Sequence, residues 1–349
     1  MKLLVTGGAG FIGSNFIRYI LAHYPDDSVL NLDKLTYSGN LQTLRDVEKD
    51  ERYSFVRGDI GDRRKVEGIL SGGFDAVVHF AAETHVDRSI LGGAAFVKTN
   101  VMGTQCLLDA ARQAKVARFV LVSTDEVYGS APSGEKFTEQ SHLAPNSPYA
   151  ASKAGADLLA RAQFRTYGFP VVITRCTNNY GPYQYPEKFI PLMLSRAAND
   201  QSIPVYGDGM QVRDWIWVMD HCAGVDAALR RGRDGEGYNF GAGNEWPNLE
   251  IARRLLRLLG KPESLLTFVQ DRPGHDRRYA LDSEKARREL SWSPQTDLEE
   301  GLKQTVEWYT AHADWVKHVS ARGYRSYYRK QYEQRDSTLA KVTDPGGKH

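Results

Sequence analysis

Short apolar runs alternate with helical patterns through the first half of the chain. Five of these runs read as buried strands, and they span residues 2–6, 29–33, 54–57, 76–80 and 119–123. Apolar residues at helical spacing lie between most of them, for example in residues 100–113. Strands that alternate with helices favour parallel pairing with helices on both faces of the sheet. The pattern therefore predicts an α/β fold in which ligands bind beyond the carboxyl ends of the strands.

A glycine-rich turn, GGAGFIG (7–13), follows the first of these runs and leads into a helical pattern. Glycine lets the backbone approach a pyrophosphate, and the following helix presents free N–H groups to that anion. Asp33 stands twenty residues beyond Gly13, where a carboxylate can hydrogen-bond the adenosine ribose hydroxyls. We therefore predict a Rossmann-type doubly wound parallel sheet that binds NAD in preference to NADP. A structural glycine turn with an unrelated aspartate is the alternative.

These signals also suggest how the chain is divided. We predict an NAD-binding domain over residues 1–175 and a smaller, mainly substrate-binding region over 176–332. Some of that second region is expected to return to the first sheet. Residues 333–349 are polar and contain Pro and Gly, so they are expected to form a frayed tail.

Composition narrows the class of protein. The 349 residues carry a net charge of +2, which favours neither nucleic acid nor a membrane as a partner. No apolar run reaches the roughly 20 residues of a membrane-spanning helix, and glycines interrupt the N-terminal run too early for a signal peptide. Cys106, Cys176 and Cys222 have neither metal-ligand nor disulfide spacing. We expect three buried, reduced thiols, no metal and a cytoplasmic protein.

Two adjacent carboxylates stand where the fifth strand should end. They are Asp125 and Glu126 in the sequence STDEVYG (123–129). Adjacent acids on a loop are usually a solvated turn, which is the alternative to a functional pair.

A tyrosine and a lysine follow in SPYAASKAGADLLAR (147–161). Tyr149 and Lys153 are four residues apart, so they lie on one face of the helix that this segment predicts. A nearby ammonium, with the positive nicotinamide, lowers the pKa of a tyrosine. Such a tyrosine can take a proton from an alcohol while hydride leaves to NAD, whereas surface packing is the alternative.

Taken together, these motifs and several longer segments resemble one family. The segments are AAETHVDRSI (81–90), TDEVYG (124–129), TRCTNNYGPYQYPEKFIPL (174–192), YGDGMQVRDWIWVMDH (206–221) and QDRPGHDRRYALD (270–282). They resemble the extended short-chain dehydrogenase/reductases that act on nucleotide sugars. Within that group, the chain from Met1 to about Tyr332 resembles the dTDP-glucose 4,6-dehydratases.

The resemblance implies a reaction that needs two acids. Family members oxidise the sugar C4 hydroxyl with bound NAD, eliminate water across C5 and C6, and return the hydride to C6. The product of dTDP-glucose is dTDP-4-keto-6-deoxyglucose, and no NAD is consumed. One carboxylate must be ionised while the other is protonated, and repulsion between adjacent acids suits this requirement.

By resemblance, each polar residue of the two motifs has a role. Glu126 is the base at C5 and Asp125 the acid at C6, while Thr124 holds the C4 oxygen. Tyr149 is the base at C4, and Lys153 binds the nicotinamide ribose. Ordinary epimerases of this superfamily lack the acid pair, which makes it the discriminating feature.

The resemblance also implies two sets of ligand contacts. The cofactor contacts are Gly7, Gly10, Phe11, Ile12, Gly13, Asp33, Lys34, Thr36, Asp59, Ile60, Ala81, Thr99, Tyr149, Lys153 and Asn178. The substrate contacts are Thr84, Asn179, Glu187, Lys188, Pro204, Tyr206, Arg213, Asn248, Arg272, His275 and Tyr279. Arg213 is the strongest single candidate for a pyrophosphate clamp. Tyr185 departs from the family pattern, in which we expect histidine.

Residues 100–114 and 149–167 resemble helices that pair across a two-fold axis in this family, so a homodimer with a four-helix bundle is expected.

Two other functions stay open at this point. One is another NAD-dependent nucleotide-sugar epimerase or dehydratase of the same fold. The other is a nucleotide-sensing protein without turnover, which the intact motif residues argue against. Discrimination between dTDP and UDP would depend on the one methyl group by which thymine differs from uracil, which is worth about 1–3 kcal/mol in an apolar pocket.

Overall fold

The computed structural model describes residues 1–320 together with Tyr328 and Tyr332. Its strands are β1 (Lys2–Thr6), β2 (Ser28–Asp33), β3 (Tyr53–Arg57), β4 (Ala76–His79), β5 (Arg118–Thr124), β6 (Val171–Cys176), β7 (Asn178–Tyr180), β8 (Ile203–Tyr206), β9 (Val212–Trp217), β10 (Gly237–Phe240), β11 (Glu245–Pro247) and β12 (Leu266–Val269). The frayed tail predicted over 333–349 lies outside the described residues.

The α-helices are numbered in the same way. They are α1 (Phe11–His23), α2 (Arg63–Leu70), α3 (Val86–Leu91), α4 (Ala94–Phe96), α5 (Thr104–Gln113), α6 (Pro148–Tyr167), α7 (Phe189–Ala198), α8 (Val218–Arg231), α9 (Asn248–Leu259), α10 (Glu284–Leu290), α11 (Leu298–Ala311) and α12 (Ala313–Ser320). The segment Val97–Gly103, directly before α5, is π-helical.

Seven strands form one parallel sheet in the order β10-β6-β5-β4-β1-β2-β3. The five strands predicted from apolar runs are β1 to β5, each within one residue of its expected ends. The strand order reverses at β1, where β2 lies on one side and β4 on the other, and ligands bind at such a switch point. The predicted Rossmann-type doubly wound sheet is confirmed.

Each face of the sheet is covered by its own apolar core. On one face, α2, α5 and α6 pack against the strands through residues such as Val66, Leu107 and Ala156. On the other face, α1 and α8 pack through residues such as Phe16 and Val225. Helices on both faces explain why the strands read as continuous apolar runs rather than alternating ones.

Local caps fix where α6 begins and ends. Ser147 Oγ accepts a hydrogen bond from the Ala150 N–H at 3.1 Å, and Pro148 occupies the first helical position. Gly168 ends the helix in the left-handed conformation, with φ of +67°. These caps place Tyr149 and Lys153 in the first two turns of the helix, next to the end of β5.

The rest of the chain forms two small sheets, β11-β9-β7 and β12-β8, over a third core that α7, α9 and α11 supply. Meanwhile α8 packs on the large sheet and β10 pairs with β6 at its edge. Later segments thus return to the first sheet, while a division at residue 175 stays a prediction.

Membrane-spanning and metal-binding features are absent from the described residues. Within them, no helix has the length and apolar character to cross a membrane. No group of three or more His, Cys, Asp or Glu side chains there is arranged to hold a metal ion. The cysteines are free thiols, and Cys176 and Cys222 are buried as expected, but Cys106 is only half-buried.

Candidate active site

A large cavity opens beyond the carboxyl ends of the central strands. All five predicted catalytic residues line it, and so does every predicted cofactor contact. Four predicted substrate contacts also line it: Thr84, Asn179, Glu187 and Lys188. The structure thus brings these residues together around one site, while their individual roles stay predictions.

The glycine turn at the start of α1 leaves no room for side chains. Gly7 has φ of +73°, and a Cβ there would lie 2.5 Å from the Ala81 backbone nitrogen. A Cβ on Gly13 would lie 2.4 Å from the Gly7 carbonyl oxygen. The turn therefore keeps its backbone close to the cavity at the N-terminus of α1, a geometry that fits a pyrophosphate.

A carboxylate stands at the end of β2, as the sequence predicts for an NAD site. Asp33 is buried, and its two oxygens accept backbone N–H groups from Ala9 at 3.0 Å and Leu35 at 2.7 Å. Burial raises the pKa of Asp33, and these two hydrogen bonds oppose that rise. The neighbouring cation, Lys34, forms an ion pair with Asp59 at 2.7 Å. The polar groups at this end of the cavity therefore fit a ribose better than a 2′-phosphate.

The acid pair lies at the end of β5, in a short 3-10 turn over Asp125–Tyr128. Thr124 Oγ1 donates a hydrogen bond to Asp125 Oδ1 at 3.1 Å. Asp125 Oδ2 is buried without a hydrogen-bond partner in the described part of the chain. Asp125 is only 3% exposed, so a solvated turn is excluded for it.

The two acids differ in their electrostatic surroundings. Burial, followed by the charge of Glu126, raises the pKa of Asp125 well above its ordinary value. Burial also raises the pKa of Glu126, but Arg272, Arg213 and Lys188 oppose that rise. Cations thus favour the ionised form of Glu126, and the charge of Glu126 favours the protonated form of Asp125. An acid and a base at one site need this kind of difference.

Tyr149 and Lys153 are both buried beside the acid pair, which excludes surface packing. Lys153 Nζ donates a hydrogen bond to the Val122 carbonyl at 2.7 Å. Burial, followed by the charge of Glu126, raises the pKa of Tyr149 well above 10. In the chain by itself, burial and nearby carboxylates thus raise this pKa. The expected lowering by the lysine together with the positive nicotinamide stays a prediction.

Several other predicted substrate residues form a second cluster outside the cavity lining. Tyr206 donates a hydrogen bond to Asp87 Oδ2 at 3.2 Å, and its ring meets the His275 ring edge-on at 6.1 Å. Arg272 Nη1 lies 4.0 Å from the same Asp87 oxygen. Arg272 also lowers the pKa of Glu126, so this cluster lies within electrostatic reach of the acid pair.

Arg213 and Tyr279 belong to the same region. The Arg213 guanidinium lies 4.2 Å from the centre of the Tyr279 ring, and it donates to the Asp276 carbonyl at 3.0 Å. Tyr279 in turn donates its hydroxyl hydrogen to Asp276 Oδ2 at 2.7 Å. Arg213 is 4% exposed, so it is a buried cation and not a surface one.

The last two predicted substrate contacts are Asn248 and Pro204. Asn248 begins α9, and its side-chain oxygen is buried without a hydrogen-bond partner among the described residues. Pro204 lies inside β8 opposite Thr267 of β12 and outside the cavity lining.

Several residues at the site were not predicted from the sequence. Arg88 binds the Glu187 carboxylate, and His221 Nδ1 lies 2.9 Å from Asn179 Oδ1. Tyr185, where histidine is expected, lines the cavity. Arg88 lies inside the segment AAETHVDRSI, but its partner is 99 residues away in the chain, a pairing that no local pattern signals.

The chain is similar in sequence to proteins of known activity. The family profile described as GDP-mannose 4,6 dehydratase matches residues 4–305. A dTDP-glucose 4,6-dehydratase from Actinoplanes sp. is 52% identical over 320 residues, which cover 90% of this chain and 99% of that protein. The chain belongs to the dTDP-glucose 4,6-dehydratase family. The resemblance predicted from the sequence segments is confirmed.

Solved structures of this family and of related enzymes share the fold. DesIV, a dTDP-glucose 4,6-dehydratase from Streptomyces venezuelae, was solved with NAD and TYD bound. It is 54% identical, has a TM-score of 0.89, and the match covers 91% of this chain and 100% of that one. A UDP-glucose 4-epimerase from Thermotoga maritima is 30% identical with a TM-score of 0.84, and the match covers 90% and 100% of the two chains.

Proposed function

We propose that this protein catalyses the NAD-dependent dehydration of dTDP-glucose to dTDP-4-keto-6-deoxyglucose. The observation that carries the proposal is the unequal acid pair at the end of β5, which faces the cavity at the glycine turn. Similarity to dTDP-glucose 4,6-dehydratases, one of them solved with NAD, supports the substrate and the cofactor. The enzyme is thus proposed to be a hydro-lyase.

NAD, when bound, takes a hydride from sugar C4 and later returns it to C6. The glycine turn would bind its pyrophosphate and Asp33 its adenosine ribose. Lys153 and Tyr149 line the same cavity, where they would contact the nicotinamide ribose. Because the hydride returns to the same sugar, the cofactor does not need to leave between turnovers.

The chain's own groups move the protons. Tyr149 takes the proton of the C4 hydroxyl, whose oxygen Thr124 holds by a hydrogen bond. Glu126, whose ionised form nearby cations favour against the effect of burial, removes the C5 proton. Asp125 then protonates the C6 hydroxyl, which leaves as water. Glu126 returns its proton to C5, and the proton that Tyr149 accepted replaces the one that Asp125 gave up, so the protein ends each cycle unchanged.

A direct experiment tests this proposal. Purified protein is given dTDP-glucose without added NAD, and the mass of the product is followed. We expect the loss of one water while the bound cofactor stays oxidised. A changed sugar configuration at constant mass would instead indicate a 4-epimerase, the activity named for the relative from Thermotoga maritima.

We infer that the protein is a homodimer. Apolar side chains are exposed along the π-helical segment and α6, among them Met102 at 64%, Val97 at 50% and Leu158 at 56%. These segments pack side by side, so a second copy would complete a four-helix bundle and cover them. Light scattering after size exclusion should give twice the chain mass, and Leu158→Glu should give the monomer mass. A wild-type monomer at working concentration would contradict the inference.

The location and the partners follow from the proposed enzyme activity. We infer a cytoplasmic enzyme whose partners are the nucleotide sugar and a second copy of itself, with no nucleic acid and no membrane. The near-neutral net charge of +2 supports this inference.

A further inference from the structure

Arg88, on α3, is bound to a buried carboxylate in a distant loop. Its Nη2 and Nε lie 2.8 and 3.1 Å from Glu187 Oε2. The Glu187 side chain is 1% exposed, and it lines the cavity between Tyr185 and Lys188. Both nitrogens meet one oxygen, so the guanidinium fixes the direction in which the carboxylate points.

The same guanidinium also contacts the loop after β2. Its central carbon lies 4.0 Å from the centre of the Tyr37 ring. Thr36 and Ser38, on either side of Tyr37, both line the cavity. Arg88 therefore joins the loop beside the predicted cofactor site to the loop that carries Glu187.

The chemistry of Glu187 favours a sugar over a diphosphate as its partner. A carboxylate repels phosphate and accepts hydrogen bonds from hydroxyl groups. Cations suited to a diphosphate, Lys188 and Arg213, are available nearby. Glu187 also shares the cavity with Tyr149 and Glu126, the groups proposed to act on the sugar ring.

We propose that Arg88 is a positioning residue for the substrate, which acts by holding the Glu187 carboxylate as an acceptor for sugar hydroxyls. This inference rests on the proposed function, because it takes the ligand beside Glu187 to be the sugar of a nucleotide sugar. The electrostatics agree with the geometry. Burial raises the pKa of Glu187, and Arg88 is the largest opposing influence, ahead of Lys188 and Tyr37. Without Arg88, the carboxyl group would turn and take up a proton, and it would lose its strength as an acceptor.

The test compares a ligand that has the sugar with one that lacks it. Arg88→Gln is purified with its bound NAD, and KM for dTDP-glucose and Ki for dTDP are measured. We expect KM to rise by about tenfold or more, with Ki for dTDP and kcat close to wild type. An interaction made equally in the bound substrate and the transition state affects KM and not kcat.

Three further variants and one control variant test whether Arg88 acts through Glu187. Glu187→Gln should raise KM in the same way, and adding Arg88→Gln to it should cause little additional loss. Arg88→Lys keeps the charge and should recover part of the substrate affinity, and it also serves if Arg88→Gln does not fold. Arg63→Gln, which breaks the exposed Arg63–Glu67 ion pair on α2, is the matched control and should leave KM unchanged.

Other results would overturn the proposal. An equal loss of dTDP affinity would mean that Arg88 supports the whole site rather than the sugar. Loss of bound NAD with normal KM would mean that Arg88 stabilises the loop beside the cofactor site instead. Fully additive effects of Arg88→Gln and Glu187→Gln on KM would mean that Arg88 does not act through Glu187. The reaction of the wild type tests the proposed function. The ratio of KM for dTDP-glucose in the variant to KM in the wild type tests this inference. Should the wild type leave dTDP-glucose unchanged, the same comparison applies to equilibrium binding of dTDP-glucose and dTDP.

Discussion

Thr124 donates its hydroxyl hydrogen to one oxygen of Asp125 and leaves the other oxygen buried without a hydrogen-bond partner among the described residues. A bare carboxylate oxygen in such surroundings is costly, whereas a protonated one is not. Burial and the charge of Glu126 favour a proton on Asp125, although the hydrogen bond from Thr124 opposes this by lowering the Asp125 pKa. Nearby cations instead favour the ionised form of Glu126. These different surroundings explain how neighbouring residues of the same chemical type can take opposite roles.

Asp125→Asn should remove turnover and stabilise the fold. The pKa of Asp125 is raised in the folded state, so its contribution to stability is lost as pH rises through that pKa. At neutral pH, the folded chain keeps on Asp125 a proton that the unfolded chain releases. Asparagine avoids this cost, and we expect a gain of about 1–3 kcal/mol in the free energy of unfolding. Denaturant unfolding at neutral and acidic pH measures this gain, which should vanish in acid. A variant less stable than wild type at neutral pH would contradict the account of this site.

Glu126→Gln should stop removal of the C5 proton and leave the earlier oxidation step possible. We expect no exchange of the C5 proton with deuterated solvent, while cofactor reduction on addition of dTDP-glucose stays measurable. Asp125→Asn is the matched variant, because it keeps the base and should retain exchange. Exchange at the wild-type rate in Glu126→Gln would assign the base to another group.

Gly13→Ala should disrupt the nucleotide turn. The new Cβ would lie 2.4 Å from the Gly7 carbonyl oxygen, a backbone atom that cannot move without opening the turn. We expect the purified variant to lose its bound NAD and to unfold at a lower temperature. Gly68→Ala, in α2, is the control, because a Cβ there meets nothing within 4 Å. That control should be stabilised by about 0.5–1 kcal/mol, since alanine favours a helix over glycine. If Gly13→Ala keeps its full NAD content, the turn does not set the cofactor's position.

Asp157→Ala should destabilise the packing of α6 against the sheet. Asp157 Oδ2 lies 2.7 Å from Nε of Arg175 on β6, and both side chains are buried. Removing the carboxylate leaves an unpaired buried cation, and we expect a loss of about 3–5 kcal/mol. Glu67→Ala removes the partner of an exposed arginine, Arg63, and should cost far less stability because solvent screens that pair. Similar losses for the two variants would show that burial does not distinguish these pairs.

The chain's local patterns predict the sheet well, since each of β1 to β5 is a short apolar run between helical segments and needs no distant information. They also identify Asp125, Glu126, Tyr149 and Lys153, which lie at an element's end or one helical turn apart. Sequence spacing does not reveal the partner of Glu187, because α3 and the loop before α7 meet only in the folded chain. Nor does it predict the raised pKa of Tyr149, which depends on how deeply the hydroxyl is buried among carboxylates.

We propose that this site eliminates water from a nucleotide sugar without net oxidation. The most direct measurement is the mass of the product formed from dTDP-glucose by the purified protein, with no NAD supplied. We expect the loss of one water, with the bound cofactor oxidised at the end. An unchanged mass, whether the sugar is epimerised or untouched, would contradict this proposal.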